Sequence, residues 1–322
     1  MKKQNKKWLT LSLTLLLSGL FVFGIAMSTL GFDINAFTTA RYSTNVHEIS
    51  DAFDRIAIST DKAAVQIARA EDGVCRVECY EEARLTYPVT VEDGVLQIST
   101  NNRRQWYDKV LQTENCRVTV YLPDYAYEAL NVTLHRGELE VEGGFLFQNV
   151  RIAVGTGNVR YHADSHGTVE ISTQKGDIKL EHVIAGELRL AAEEGAIDLS
   201  GAISYGGVWA DAKNGRTALT DLSCKSLSCE SGTGDLILTG VIAGGNLALQ
   251  KTDGDITLER CDANALKITL ERGRVAAALL SPKQFDAQSE SGSVSVPPSG
   301  EGGRCEIRVG TGDITATLTA AP

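Results

Sequence analysis

The sequence is short of the residues that mark most alternatives to a repetitive β-fold. Proline occurs six times and methionine twice in 322 residues, and aromatic side chains make up 6%. So little proline excludes a polyproline stalk or a proline-rich disordered linker. No stretch beyond residue 33 sustains the 3.6-residue apolar period of a helix, which excludes a helical bundle. Catalytic signatures are missing too: there is no Gly-x-Ser-x-Gly elbow, phosphate-binding loop or His-Glu-x-x-His helix. Ser59-Thr-Asp-Lys62 and Ser172-Thr-Gln-Lys175 match a Ser-x-x-Lys pattern but lack the companion motifs such an enzyme needs. The chain has no Cys-x-x-Cys pair, so a zinc site has no support. A non-catalytic protein without a cofactor is expected. A β-helical polysaccharide-active enzyme is the remaining catalytic alternative, but it calls for clustered acids and a row of outward aromatics. In the repeats Trp209 is the clear outward aromatic.

Charge is unevenly placed. Lys2, Lys3, Lys6 and Lys7 form a basic tail (residues 1–7), and no charge follows from Trp8 to Phe32. At 1.5 Å per residue this run spans the roughly 30 Å of bilayer hydrocarbon. It reads as a transmembrane anchor (8–32) with the N-terminus cytoplasmic and the rest extracellular. A cleaved signal peptide, with Gly24 and Ala26 as its small-residue site, is the alternative. Residues 33–47 read as a linker. Beyond the tail, 27 basic residues face 41 acidic ones. That field repels nucleic acid and anionic lipid, so no nucleic-acid partner is expected.

Glycine is abundant, at 31 residues, and it is periodic. Gly137, Gly157, Gly176, Gly195, Gly215, Gly234, Gly254, Gly273, Gly292 and Gly312 recur every 19 or 20 residues. Relative to each of these glycines, positions −7, −5, +2 and +4 are apolar in 39 of 40 cases, where the overall 43% composition yields about 17. Thr217 is the exception, and the intervening position −6 is almost wholly polar. Alternation with period two on both sides of a turn means two half-buried strands per coil. One coil cannot bury its inner face alone, so coils must stack at ~4.8 Å, and ten give about 48 Å. The predicted fold is all-β, a single-domain, parallel β-helix-like solenoid with one N-terminal transmembrane helix. Regular coils occupy 130–319. Gly73 and Gly94 carry the same downstream pattern, so 48–129 reads as irregular early coils with an insertion at 101–115.

Phe53-Asp-Arg-Ile-Ala-Ile, Val118-Thr-Val-Tyr-Leu-Pro and the Gly-Asp-Ile coils at Gly176, Gly254 and Gly312 resemble the bacterial putative-adhesin family of β-strand-repeat proteins. This is a domain of unknown function. The resemblance covers roughly residues 48 to 319 and implies the fold, a membrane anchor and a surface-binding or scaffold role. Some relatives belong to cell-envelope stress operons, which implies an accessory envelope role as the competing function. The implied partners are the membrane, through the helix, and an envelope protein or cell-surface ligand.

Four sets of residues merit a site reading. Arg103, Arg104, Trp106 and Tyr107 concentrate basic and aromatic side chains in the insertion, the composition of an interface hot spot. The competing reading is a loop folded over the stack. His162, His166 and His182 have spacings compatible with a transition metal, although a solvated turn accounts for them. Asp177, Asp235, Asp255 and Asp313 follow their glycines as a possible calcium ladder, interrupted by Arg216 and Arg274. Asp as a turn former bonding its local backbone is the simpler account. Six of the seven cysteines fall where Val or Leu sits in other coils and read as small core hydrophobes. Cys224 alone falls outside the pattern, as a free or intermolecular thiol.

Overall fold

The computed structural model describes residues 2–29, 41–104 and 116–319. Lys2–Thr29 is an α-helix, and Thr10–Thr29 is long and apolar enough to cross a membrane, a test that a signal sequence also passes. The rest is a β-solenoid. Strands preceding each repeat glycine stack in parallel as a long face, and strands following it stack as a short face. Val169 pairs with Leu188 and Ile171 with Leu190 on the long face; Ile178 pairs with Ile197 and Leu180 with Leu199 on the short face. These side chains are at most 2% exposed and meet in one continuous core between the faces.

The turn tolerates only glycine. Gly157 has φ +144°, and a Cβ there would collide with the carbonyl oxygen of Gly137, one coil below. The repeat glycines thus stack backbone on backbone. The adjoining aspartates bond across coils rather than locally, which corrects the local-turn expectation. Asp177 Oδ1 accepts the Ala196 N–H at 2.8 Å, and Asp255 Oδ1 accepts the Arg274 N–H at 2.9 Å. At the inter-strand spacing, the next coil's amide is within direct reach of the carboxylate.

Thr217, the polar exception among the inward slots, is 1% exposed, and its hydroxyl has no hydrogen-bond partner. Thr217→Val removes that unsatisfied group at nearly constant volume. Chemical denaturation should show a gain of about 1 kcal/mol; a loss would mean that the hydroxyl is satisfied.

Each coil also has a corner that periodicity did not show. A column of small inward residues, Ala185, Ser204, Cys224, Ala243 and Ala263, precedes the long face. Cys224 belongs to this column and is 7% exposed, so it is a core residue and not an outlying thiol. The register slips between Ser204 and Gly207 and between Ala243 and Asn246. Those slips hold the twentieth residue of the coils ending at Gly215 and Gly254.

Both ends of the stack depart from chain order. Arg55–Thr60 lies between Val95–Ile98 and Ala126–Arg136, with Ile56 paired to both Leu96 and Leu130. Ala64–Arg69 likewise lies between Arg117–Leu122 and Leu139–Val141. The first coil in the chain is therefore second in space. The same happens at the other end: Arg304–Thr311 pairs with Ile256–Arg272 on one side and with Gln284–Ser291 on the other. The coil of Gly312 sits inside the coil of Gly292. The returning chain squeezes past Asn264, whose carbonyl leaves no room for a Cβ at Gly303. Val294, an inward slot by sequence, is consequently 43% exposed at the end of the stack.

Residues 48–129 are thus only partly coils, and 33–47 is not wholly a linker. Tyr42–Glu48 pairs antiparallel with Arg76–Glu82, which pairs antiparallel with Arg117–Leu122. Val89–Glu92 covers Val95–Ile98 in the same sense. These strands cap the N-terminal edge, which would otherwise offer an open ladder to other chains.

Candidate functional site

The outward side chains of the long face alternate in height. Position −4 is short over successive rungs, from Ser59 through Thr133, Ala153 and Ser172 to Ala191. Flanking positions −6 and −2 are mostly taller, with Arg151, Glu170, Arg189 and Trp209 on one side and His135, Gln174, Glu193 and Lys213 on the other, and gaps at Ala57 and Gly155. Short between tall makes a trough along the stack, perpendicular to the strands. One hollow of about 560 Å³ lies over Thr133, Ala153, Ser172 and Ala191. A second, of about 280 Å³, lies between Arg189, Trp209, Ser228 and Glu230. They share Ser172, Ala191 and Asp211.

The walls are charged in both signs and largely paired. Arg151 meets Glu170 at 2.8 Å, and Lys213 meets Glu193 at 3.2 Å. Trp209 is 40% exposed, with the Arg189 guanidinium carbon 4.7 Å from its ring centroid. Such cation–π support fixes the ring without burying it. Strand backbones beneath the trough are bonded to neighbours on both edges. Recognition here falls to side chains.

The insertion residues are not brought to this trough. Arg103 is exposed, and its N–H donates to the Arg84 carbonyl at 2.8 Å. Arg104 turns inward: its side chain is 4% exposed, and Nε lies 2.8 Å from Oε2 of Glu82, itself 6% exposed. The approach is out of line for a hydrogen bond, and among the described residues Nη2 has no hydrogen-bond partner. Arg104 therefore works within the N-terminal cap. Trp106 and Tyr107 lie outside the described residues.

His162 Nδ1 lies 3.7 Å from Glu181 Oε2, and His182 sits against Gly201. Among the described residues, no three His, Cys, Asp or Glu side chains converge as metal ligands. All seven cysteines are buried and unbridged. Burial pushes the thiols of Cys75, Cys224 and Cys305 up to about 11 and that of Cys79 to about 12, with Glu81 adding to the last. Reaction requires the thiolate. At pH 8 a soluble maleimide should label native protein at least about a hundredfold more slowly than unfolded protein; fast native labelling of Cys224 would place it at the surface.

Fold and trough together define a glycine-stacked β-solenoid with an open groove built from side chains. The chain belongs to the Toastrack DUF4097 family, whose pattern matches residues 53–208 and again 200–321. The chain is similar to a putative adhesin from Bacteroides fragilis, with 12% identity, TM-score 0.41, and coverage of 86% of this chain and 97% of that one. Another from Parabacteroides distasonis has 10% identity, TM-score 0.39, and coverage of 87% and 98%. At these identities and scores neither bears on function. No curated protein matches the sequence.

No conspicuous residue type other than Trp209 marks the trough in the sequence. Its signal was present as a run of small residues at one outward position, between two positions of long side chains.

Proposed function

We propose that this protein is a non-catalytic binding protein of the cell envelope, held by its N-terminal helix with the solenoid outside the cell and the trough as its contact face. The observation that supports this reading is the trough itself: two adjoining outward hollows, flanked by paired charges, the second lined by a braced, exposed tryptophan. The basic residues that precede the apolar stretch of the helix favour a cytoplasmic N-terminus. Paired charges and the braced ring suit binding, because they are satisfied before any ligand arrives.

The test is retention on envelopes. Full-length protein in lipid nanodiscs should bind envelope fragments saturably, and Ala191→Arg, which fills the floor, should reduce binding at least about tenfold. Ala191 is exposed, so folding should not suffer. Unchanged binding by Ala191→Arg would remove the trough from the function. An accessory envelope role would then be favoured.

A further inference from the structure

The trough has a composition that selects among ligands, and this deepens the binding role proposed above and rests on it. We infer that it binds an uncharged linear polysaccharide, with Trp209 as the plate on which one sugar ring stacks. Three observations converge.

The first is the ring. Arg189 covers one face of Trp209, while the hollow of about 280 Å³ that Trp209 lines is completed by Ser228, Asp211 and Glu230. Ser228 is the cross-strand neighbour of Trp209 on the side away from Arg189. A small neighbour there leaves room beside the indole for a flat ligand. An apolar plate ringed by carboxylates and a hydroxyl matches a pyranose ring, which has an apolar C–H face and a polar rim.

The second is charge. The walls combine Arg151, Arg189 and Lys213 with Asp61, Glu170, Glu193, Asp211 and Glu230, and ion pairs join Arg151 to Glu170 and Lys213 to Glu193. A polyanion would meet net repulsion along this surface, and a polycation would meet Arg189 and Lys213 among the carboxylates, two of which are already paired. A neutral chain of hydroxyls meets donors and acceptors throughout.

The third is the backbone. Long-face strands under the trough are saturated on both edges, so an extended peptide cannot add as a strand. The floor offers no deep apolar pocket for a peptide anchor. It runs over five rungs, about 20 Å at the inter-strand spacing, which accommodates several sugar rings in line.

The test uses full-length protein in nanodiscs, titrated calorimetrically with hexasaccharides of glucose, N-acetylglucosamine and xylose, their disaccharides, and an uncharged extended polar peptide. At least one hexasaccharide should bind saturably, and its disaccharide at least about tenfold more weakly. Trp209→Ala and Ala191→Arg should each weaken binding at least about tenfold, with unchanged melting temperatures. Tyr125→Ala, at an exposed aromatic outside both hollows, should leave binding unchanged. Absence of saturable binding by every hexasaccharide overturns the inference, as does binding that ignores both trough variants. Binding of the peptide alone overturns it as well. If the sugars fail but Ala191→Arg still abolishes envelope retention, the polysaccharide is wrong and the binding role stands; if retention also ignores Ala191→Arg, both fall.

Discussion

Leu249→Asp is expected to destabilise the solenoid by at least about 4 kcal/mol, while Gln250→Asp, one residue further, costs under about 1 kcal/mol. Leu249 is 2% exposed and stacked between Cys229 and Ile268. An aspartate there loses the packing of an aliphatic side chain and buries a charge with no partner. Gln250 is exposed, and its rung neighbours are Glu230 and Thr269. Its main penalty is repulsion from Glu230 across the ladder, a few tenths of a kcal/mol. Urea unfolding with an unchanged m-value measures both. Equal losses would mean that the strand is turned over or that its register is shifted by one residue.

That contrast depends only on alternation and spacing, and this is why the repetitive part of the fold was legible. Each inward slot is set by local period two, and each turn glycine after Gly137 by a contact with the equivalent glycine of a neighbouring coil. The pattern even exposed its own flaw at Thr217, which the structure finds buried and unsatisfied. Other features have no local signature. The residue that distinguishes a 20-residue coil is absorbed at a corner, as at Ser204 to Gly207, without changing the apolar slots. Cys224 looked anomalous because its column belongs to that corner and not to either face. The antiparallel cap alternates as the coils do, and direction of pairing leaves no trace in alternation. Arg104 showed its charge but not its inward path to Glu82.

Order at the ends is the clearest case of information the repeat does not carry. Every coil offers similar apolar slots to either neighbour, so the period cannot say which coil lies outermost. The pairing of Arg304–Thr311 with strands on both sides does. Arranged this way, the C-terminal coil is clamped between two others, and the outermost coil is tied to the stack by chain at both ends. An outermost coil joined to the stack by chain at one side alone would open more readily.

Hydrogen exchange on the full-length protein should therefore rank the last two coils against chain order. Amides bonded within Arg304–Thr311 should be protected at least about a hundredfold more than the inward-bonded amides of Gln284–Ser291, a difference of roughly 3 kcal/mol in opening free energy. The asymmetry follows from burial. Ile307 and Val309 are 0% and 3% exposed, whereas Phe285 and Ala287 are only partly buried. Opening the outer strand uncovers little more than is already wet, but opening the inner one requires the outer to leave first. Substitution should follow the same rank: Ile307→Ala at about 2–5 kcal/mol, an interior truncation, against about 1 kcal/mol for Ala287→Gly at the equivalent slot of the outer coil. Ile307 and Ala287 are direct rung partners, but the two truncations differ in size, so it is the exchange comparison that isolates position along the stack. If residues 304–311 exchange faster than 284–291, the coils follow chain order and the inserted terminal coil is wrong.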